Sequence, residues 1–143
     1  MIKKKIAILL PYKENYSESY AGAASIWVKD YLSLSKLKNV TTVYGNLKKN
    51  LRPLTPNFIN IDISGKIIRK NLRYTEILYE DCVKKKYSII EIHNRPESLL
   101  FLIKKKIDSK LTFIFHNNPK DMRGSTSVKE RIFIAENCDQ VYF

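Results

Sequence analysis

The sequence predicts an α/β domain, a doubly wound parallel sheet of about six strands with helices on both faces. Three observations point there. Short apolar runs recur along the chain, segments with apolar residues at helical spacing fall between them, and the runs stop at turn-forming or polar positions such as Pro11, Gly45, His93 and His116. Strands that alternate with helices require crossover connections, which are right-handed and give parallel pairing.

The first run, Lys5-Ile6-Ala7-Ile8-Leu9-Leu10, is continuously apolar after its lysine and ends at Pro11, as a central strand covered on both faces requires. From Ala23 to Ser35 the spacing puts Ala24, Trp27, Val28, Tyr31, Leu32 and Ser35 on one helical face. Asn39 to Tyr44 is rich in β-branched residues and ends at Gly45; Asn57 to Asp62 reads as a third strand. Between about Lys70 and Lys86 the period changes to three and four through Tyr74, Ile77, Leu78, Asp81 and Cys82, with Lys84, Lys85 and Lys86 placed where cations favour the helix dipole. Tyr87 to Ile92 is a fourth strand, closed by His93-Asn94-Arg95. Pro96 then suits the first turn of a helix running through Leu99, Leu100 and Ile103 to Lys106. Leu111 to Phe115 is a fifth strand, closed by His116-Asn117-Asn118-Pro119. Ser127 and Glu130 have capping-box spacing and open a helix carrying Val128, Ile132, Phe133 and Ala135. Asp139 to Phe143 begins a sixth strand. Residues 1–143 read as a single domain, and the apolar Val141-Tyr142-Phe143 ending leads us to expect a longer protein.

Composition narrows the function classes. The chain is 44% hydrophobic and 28% charged, which excludes the low-hydrophobicity signature of disorder. Cys82 and Cys138 stand alone, so no zinc site or disulfide framework is indicated and a reducing, cytoplasmic location is expected. No run approaches the roughly 18 apolar residues of a membrane span. The net charge of +12 invites a polyanion, but 20 of the 26 basic residues are Lys, whereas readers of bases and phosphates rely on the Arg fork. We therefore expect no nucleic-acid partner and leave open a peripheral contact with an anionic membrane surface.

Open doubly wound sheets bind ligands beyond the carboxyl ends of their strands, where strand order reverses. That selects the segments Pro11 to Gly22, His93 to Glu97 and His116 to Gly124, and both histidines of the chain fall within them. The dinucleotide pattern G-x-G-x-x-G, the P-loop and the G-x-S-x-G elbow are all missing from the sequence. Two histidines without a ligand-spaced partner indicate no metal. In Ser19-Tyr20-Ala21-Gly22-Ala23-Ala24-Ser25 the small side chains let a phosphate or sugar hydroxyl approach the backbone at a helix start; alternatively, they permit close packing of helix on sheet. His116 is placed to bond a sugar hydroxyl or polarise a leaving group, or else to cap backbone groups at a strand end. His93 is a further polar candidate at a strand end; alternatively, it and its neighbours Asn94 and Arg95 only organise the entry to Pro96. Arg95, Lys120 and Arg123 are available to an anionic acceptor or phosphate, or are solvated surface charge.

The order of parts resembles the N-terminal domain of retaining GT-B glycosyltransferases of family 4. The resemblance rests on the apolar first strand ending in Pro11, the loop Tyr20-Ala21-Gly22-Ala23-Ala24, and the junction Ile90-Glu91-Ile92-His93-Asn94-Arg95-Pro96-Glu97. Phe113-Ile114-Phe115-His116-Asn117-Asn118 and the segment from Ala135 to Val141 complete it. It implies transfer of a sugar from a nucleotide-sugar co-substrate to a saccharide or lipid-linked acceptor, as in polysaccharide or lipopolysaccharide biosynthesis, without a metal. His116 would be the catalytic residue facing the transferred sugar. Gly22 would lie in the loop that approaches the donor phosphates or the acceptor and His93 on the cleft rim, with Ala21, Asn94, Arg95, Asn117 and Arg123 as further substrate-binding residues, and a second, C-terminal domain with a paired-glutamate motif would hold the donor. A single glycine, Gly22, stands where the family has a pair. A reading from a different class is a non-catalytic Rossmann-like binding or interaction module.

Overall fold

A computed structural model describes residues 3–65 and 68–143. Its six strands are β1 (Ile6–Leu9), β2 (Thr41–Gly45), β3 (Phe58–Asn60), β4 (Ile89–His93), β5 (Lys110–Ile114) and β6 (Gln140–Tyr142). They form one sheet in the order β3-β2-β1-β4-β5-β6, and every pair is parallel. The helices are α1 (Ala23–Leu34), α2 (Lys70–Lys85), α3 (Pro96–Lys104) and α4 (Val128–Asn137). This is the Rossmann order, with the reversal between β1 and β4. β1 pairs through the same residues on both sides, Ile6 lying opposite Thr41 and Ile89, which explains its uninterrupted apolar sequence.

Alternate residues of the strands feed two cores. Ala7, Leu9, Ile90, Ile92, Leu111 and Phe113 point to one face, where Tyr74, Leu78 and Cys82 of α2, Leu99 and Leu102 of α3, and Ile134 of α4 pack on them. Ile6, Ile8, Leu10 and Val43 point to the other, under Ala24, Val28 and Leu32 of α1. The helices are therefore unequally shared: α2, α3 and α4 pack on one face, and α1 packs on the other over Ile6, Ile8 and Val43 of β1 and β2, with Ile89 of β4 at its margin. The register carries Ile8 onto Glu91, Glu91 onto Thr112 and Thr112 onto Gln140, so these polar residues lie on the face that α1 leaves open. A cavity of about 660 Å³ sits there, bounded by Trp27, Tyr31, Glu91, Thr112 and His116.

This asymmetry corrects two expectations about helix faces. Trp27 and Tyr31, at core spacing in α1, are each 41% exposed and stand at the edge of the open sheet face, while Ser25 is buried in their place. In α4, Val128, Ile132, Phe133 and Ala135 are exposed and Ile134 is the residue turned inward. The capping box at its start is formed: Ser127 Oγ accepts from the Glu130 amide at 3.1 Å, and Glu130 Oε2 accepts from the Ser127 amide at 2.9 Å. Among the described residues no helix is long and apolar enough to cross a membrane.

Candidate functional site

The carboxyl ends of β1, β4 and β5 converge at the switch in strand order, and local sequence fixes each one. After β1 the chain turns at Pro11 and is held by Asn46, whose Oδ1 accepts from the Lys13 amide at 2.7 Å. From the other face, the Tyr74 hydroxyl donates to the Leu10 carbonyl at 2.8 Å. The end of β4 is made by Asn94, a residue type that tolerates the left-handed backbone it adopts at φ +56°. Its amide donates to the Ile114 carbonyl at 2.9 Å, and its Oδ1 accepts from the amides of His116 and Asn117 at 3.2 and 3.3 Å. One asparagine thus joins the ends of β4 and β5 and sets where His116 begins.

On the α1 side of the sheet three side chains form a continuous chain. Glu91 and His93 are two apart on β4 and share a face. Glu91 Oε1 lies 2.6 Å from His93 Nε2, and His93 Nδ1 lies 2.8 Å from His116 Nε2. The two imidazole planes are within 18° of each other with centroids 5.1 Å apart, the edge-to-edge arrangement that an in-plane N–H···N bond requires, and the Trp27 ring lies 5.4 Å from His93 and 5.9 Å from His116. His93 is fully buried, whereas His116 is half-buried and borders the cavity. Burial, and then the neighbouring His93, push the His116 pKa below its ordinary value; Glu14 and Glu91 act in the opposite sense.

The loop before α1 brings Glu14 to the helix start. Glu14 Oε1 accepts from the Ser25 amide at 2.7 Å, which satisfies a helix-end donor and places a carboxylate at the positive end of the dipole. Gly22, the N-cap residue, leaves the space for it: a Cβ there would lie 2.6 Å from Glu14 Oε1. Ala21 is half-buried beside it. The backbone that the sequence offers to a phosphate is therefore filled by the protein's own carboxylate.

The remaining expected residues lie on the other side of the strand ends. Asn94, Arg95, Asn117 and Arg123 border a second cavity of about 500 Å³, together with Tyr12 and Lys13. Arg123 is paired with Glu97 at 3.0 Å. The expected set thus divides into His93 and His116 on one side and a basic, amide-rich group on the other, with Asn94 as the connection. Three participants escaped sequence reasoning. Glu91 was legible as the single acidic residue in an apolar strand two positions before a histidine; Glu14 carried no such signal, and Trp27 looked like core.

No family model matches the chain, and no curated protein matches it in sequence. Among solved structures the chain matches sucrose-phosphate synthase from Thermosynechococcus elongatus, with a TM-score of 0.58 over 97% of this chain at 18% identity. The likeness is one of fold. This chain spans 42% of the length of that protein.

Proposed function

We propose that this chain is the acceptor-side domain of a glycosyltransferase, with its reacting groups meeting at the carboxyl ends of β1, β4 and β5. The observation that carries the reading is the pair His93–His116 at the strand-order switch of a sheet whose fold is shared with a sucrose-phosphate synthase. The donor would be a nucleotide sugar held by a further domain. The acceptor would be a hydroxyl of a saccharide or of a lipid-linked saccharide, and transfer would retain anomeric configuration.

In this reading His116 contacts a hydroxyl of the sugar at the reaction centre. Trp27 supplies an apolar wall beside it. The cavity around Asn94, Arg95 and Asn117 supplies amides and a cation for the polar remainder of the acceptor. Glu14 at the start of α1 keeps a bare phosphate away from that helix end, so the donor phosphates fall to the other domain. The protein works by orientation: holding two reactants in line is worth up to roughly 7–11 kcal/mol of barrier.

The test is donor turnover by this chain across common nucleotide sugars, alone and with a donor-binding domain added in trans. We expect no transfer or hydrolysis by the chain alone and activity on adding the second domain. Robust turnover by these 143 residues alone would overturn the two-domain reading.

A further inference from the structure

Two neutral imidazoles that share one hydrogen bond take different roles in it, one donating and the other accepting. In this pair the choice is made by a third group. Glu91 as a carboxylate can only accept, so the His93 nitrogen 2.6 Å from it, Nε2, carries a proton. Neutral His93 then has a bare Nδ1, which accepts from His116 across 2.8 Å, so the proton of His116 sits on Nε2. The lone pair of neutral His116 is left on Nδ1. That nitrogen makes no hydrogen bond among the described residues, and its ring borders the open cavity over β4 and β5.

We propose that Glu91 and His93 are positioning residues that lock His116 in its Nε2–H tautomer, so that the site receives a ligand hydroxyl at the Nδ1 lone pair of His116. The inference deepens the transferase reading and rests on it for the ligand class, a hydroxyl group that donates. Proton balance follows the same chain. A proton taken up at His116 Nδ1 makes an imidazolium, its Nε2 proton can cross to His93 Nδ1, and the His93 imidazolium then faces the Glu91 carboxylate. Once the proton is taken up, His116 Nδ1 carries it whether the charge rests on His116 or on His93, so Nδ1 donates and the hydroxyl loses its acceptor. The charged groups bearing on this pair are Glu91 from β4 and Glu14 from the loop before α1; Trp27 from α1 and Thr112 from β5 bring no charge.

The chain has two histidines, so long-range proton–nitrogen NMR on protein labelled with nitrogen-15 in histidine reads both rings directly. At pH values where the rings are neutral, the wild-type chain should show both as Nε2–H tautomers. In Glu91→Gln the negative charge is gone, and proton uptake by the pair should move down by about one pH unit. In the intact transferase the acid limb of kcat/KM should move down with it, a shift that a purely structural role for Glu91 would not produce. An Nδ1–H tautomer or an even mixture at His116 in the folded wild-type chain overturns the proposal without any variant. So does an unchanged titration in Glu91→Gln. The NMR measurement involves no sugar chemistry, so its failure and a failure of the turnover experiment are separate results.

Discussion

Glu14 Oε1 and the backbone amide of Ser25 are 2.7 Å apart, and this bond accounts for the glycine at position 22. A Cβ on residue 22 would meet the Glu14 carboxylate at 2.6 Å, and the flexible side chain would have to leave. Gly22→Ala should therefore cost about 1 kcal/mol, the worth of a helix-end cap. Placed on Glu14→Ala, where the cap is already lost, the same substitution should cost almost nothing more. Chemical denaturation of the four proteins of this cycle measures the coupling. Additive losses would show that Gly22 serves some purpose other than admitting Glu14.

Asn94 combines a left-handed backbone with a side chain that holds two amides at the end of β5. Asn94→Ala strains the backbone and leaves those amides without their acceptor, for an expected loss of about 2–3 kcal/mol. Asn94→Gly should recover the backbone share only. Urea midpoints of the two variants separate the contributions.

Acid should weaken the fold through His116. Its pKa in the folded protein lies below the ordinary 6.5, so the unfolded chain binds this proton more readily. Stability is then fully present above the ordinary value and is lost as pH falls through it, until the folded form also protonates. Melting temperatures between about pH 7.5 and 5 should decline, and His116→Asn should flatten that decline. A wild-type chain that grows more stable over this acid range would contradict the sign.

Burial pushes the Cys82 thiol up to about 12, and its side chain packs in the core under α2. The native protein should leave Cys82 unlabelled by a maleimide at neutral pH, and denaturant should expose it in step with unfolding. Mass spectrometry after peptide digestion distinguishes it from the half-buried Cys138.

The sequence made the sheet legible because its central strands are buried on both sides. Ile6 to Leu9 must be apolar throughout, and Ile89 to Ile92 is interrupted only at Glu91. Helix starts were legible where capping chemistry is local, as at Ser127 with Glu130. The faces of α1 and α4 were not. Periodicity marks which residues share a stripe, but what that stripe meets is decided by which strands the helix covers. Trp27 and Tyr31 fall beyond the covered strands, and Val128, Ile132 and Phe133 turn away from the sheet. The two histidines were legible as strand-end residues, whereas their contact depends on β4 and β5 being neighbours in register, with His93 opposite Ile114. Glu14 reaches Ser25 across a loop of eleven positions with no periodic signal to announce it.

The proposed role of His116 at a reaction centre is tested most directly by His116→Ala in the chain assayed together with a donor-binding domain, with turnover and thermal stability measured on the same protein. The account predicts a fall in kcat on the order of a hundredfold, with a stability loss of no more than about 1–3 kcal/mol, the cost of leaving the buried His93 Nδ1 without its partner. Normal turnover in a protein that has lost much of its stability would contradict it.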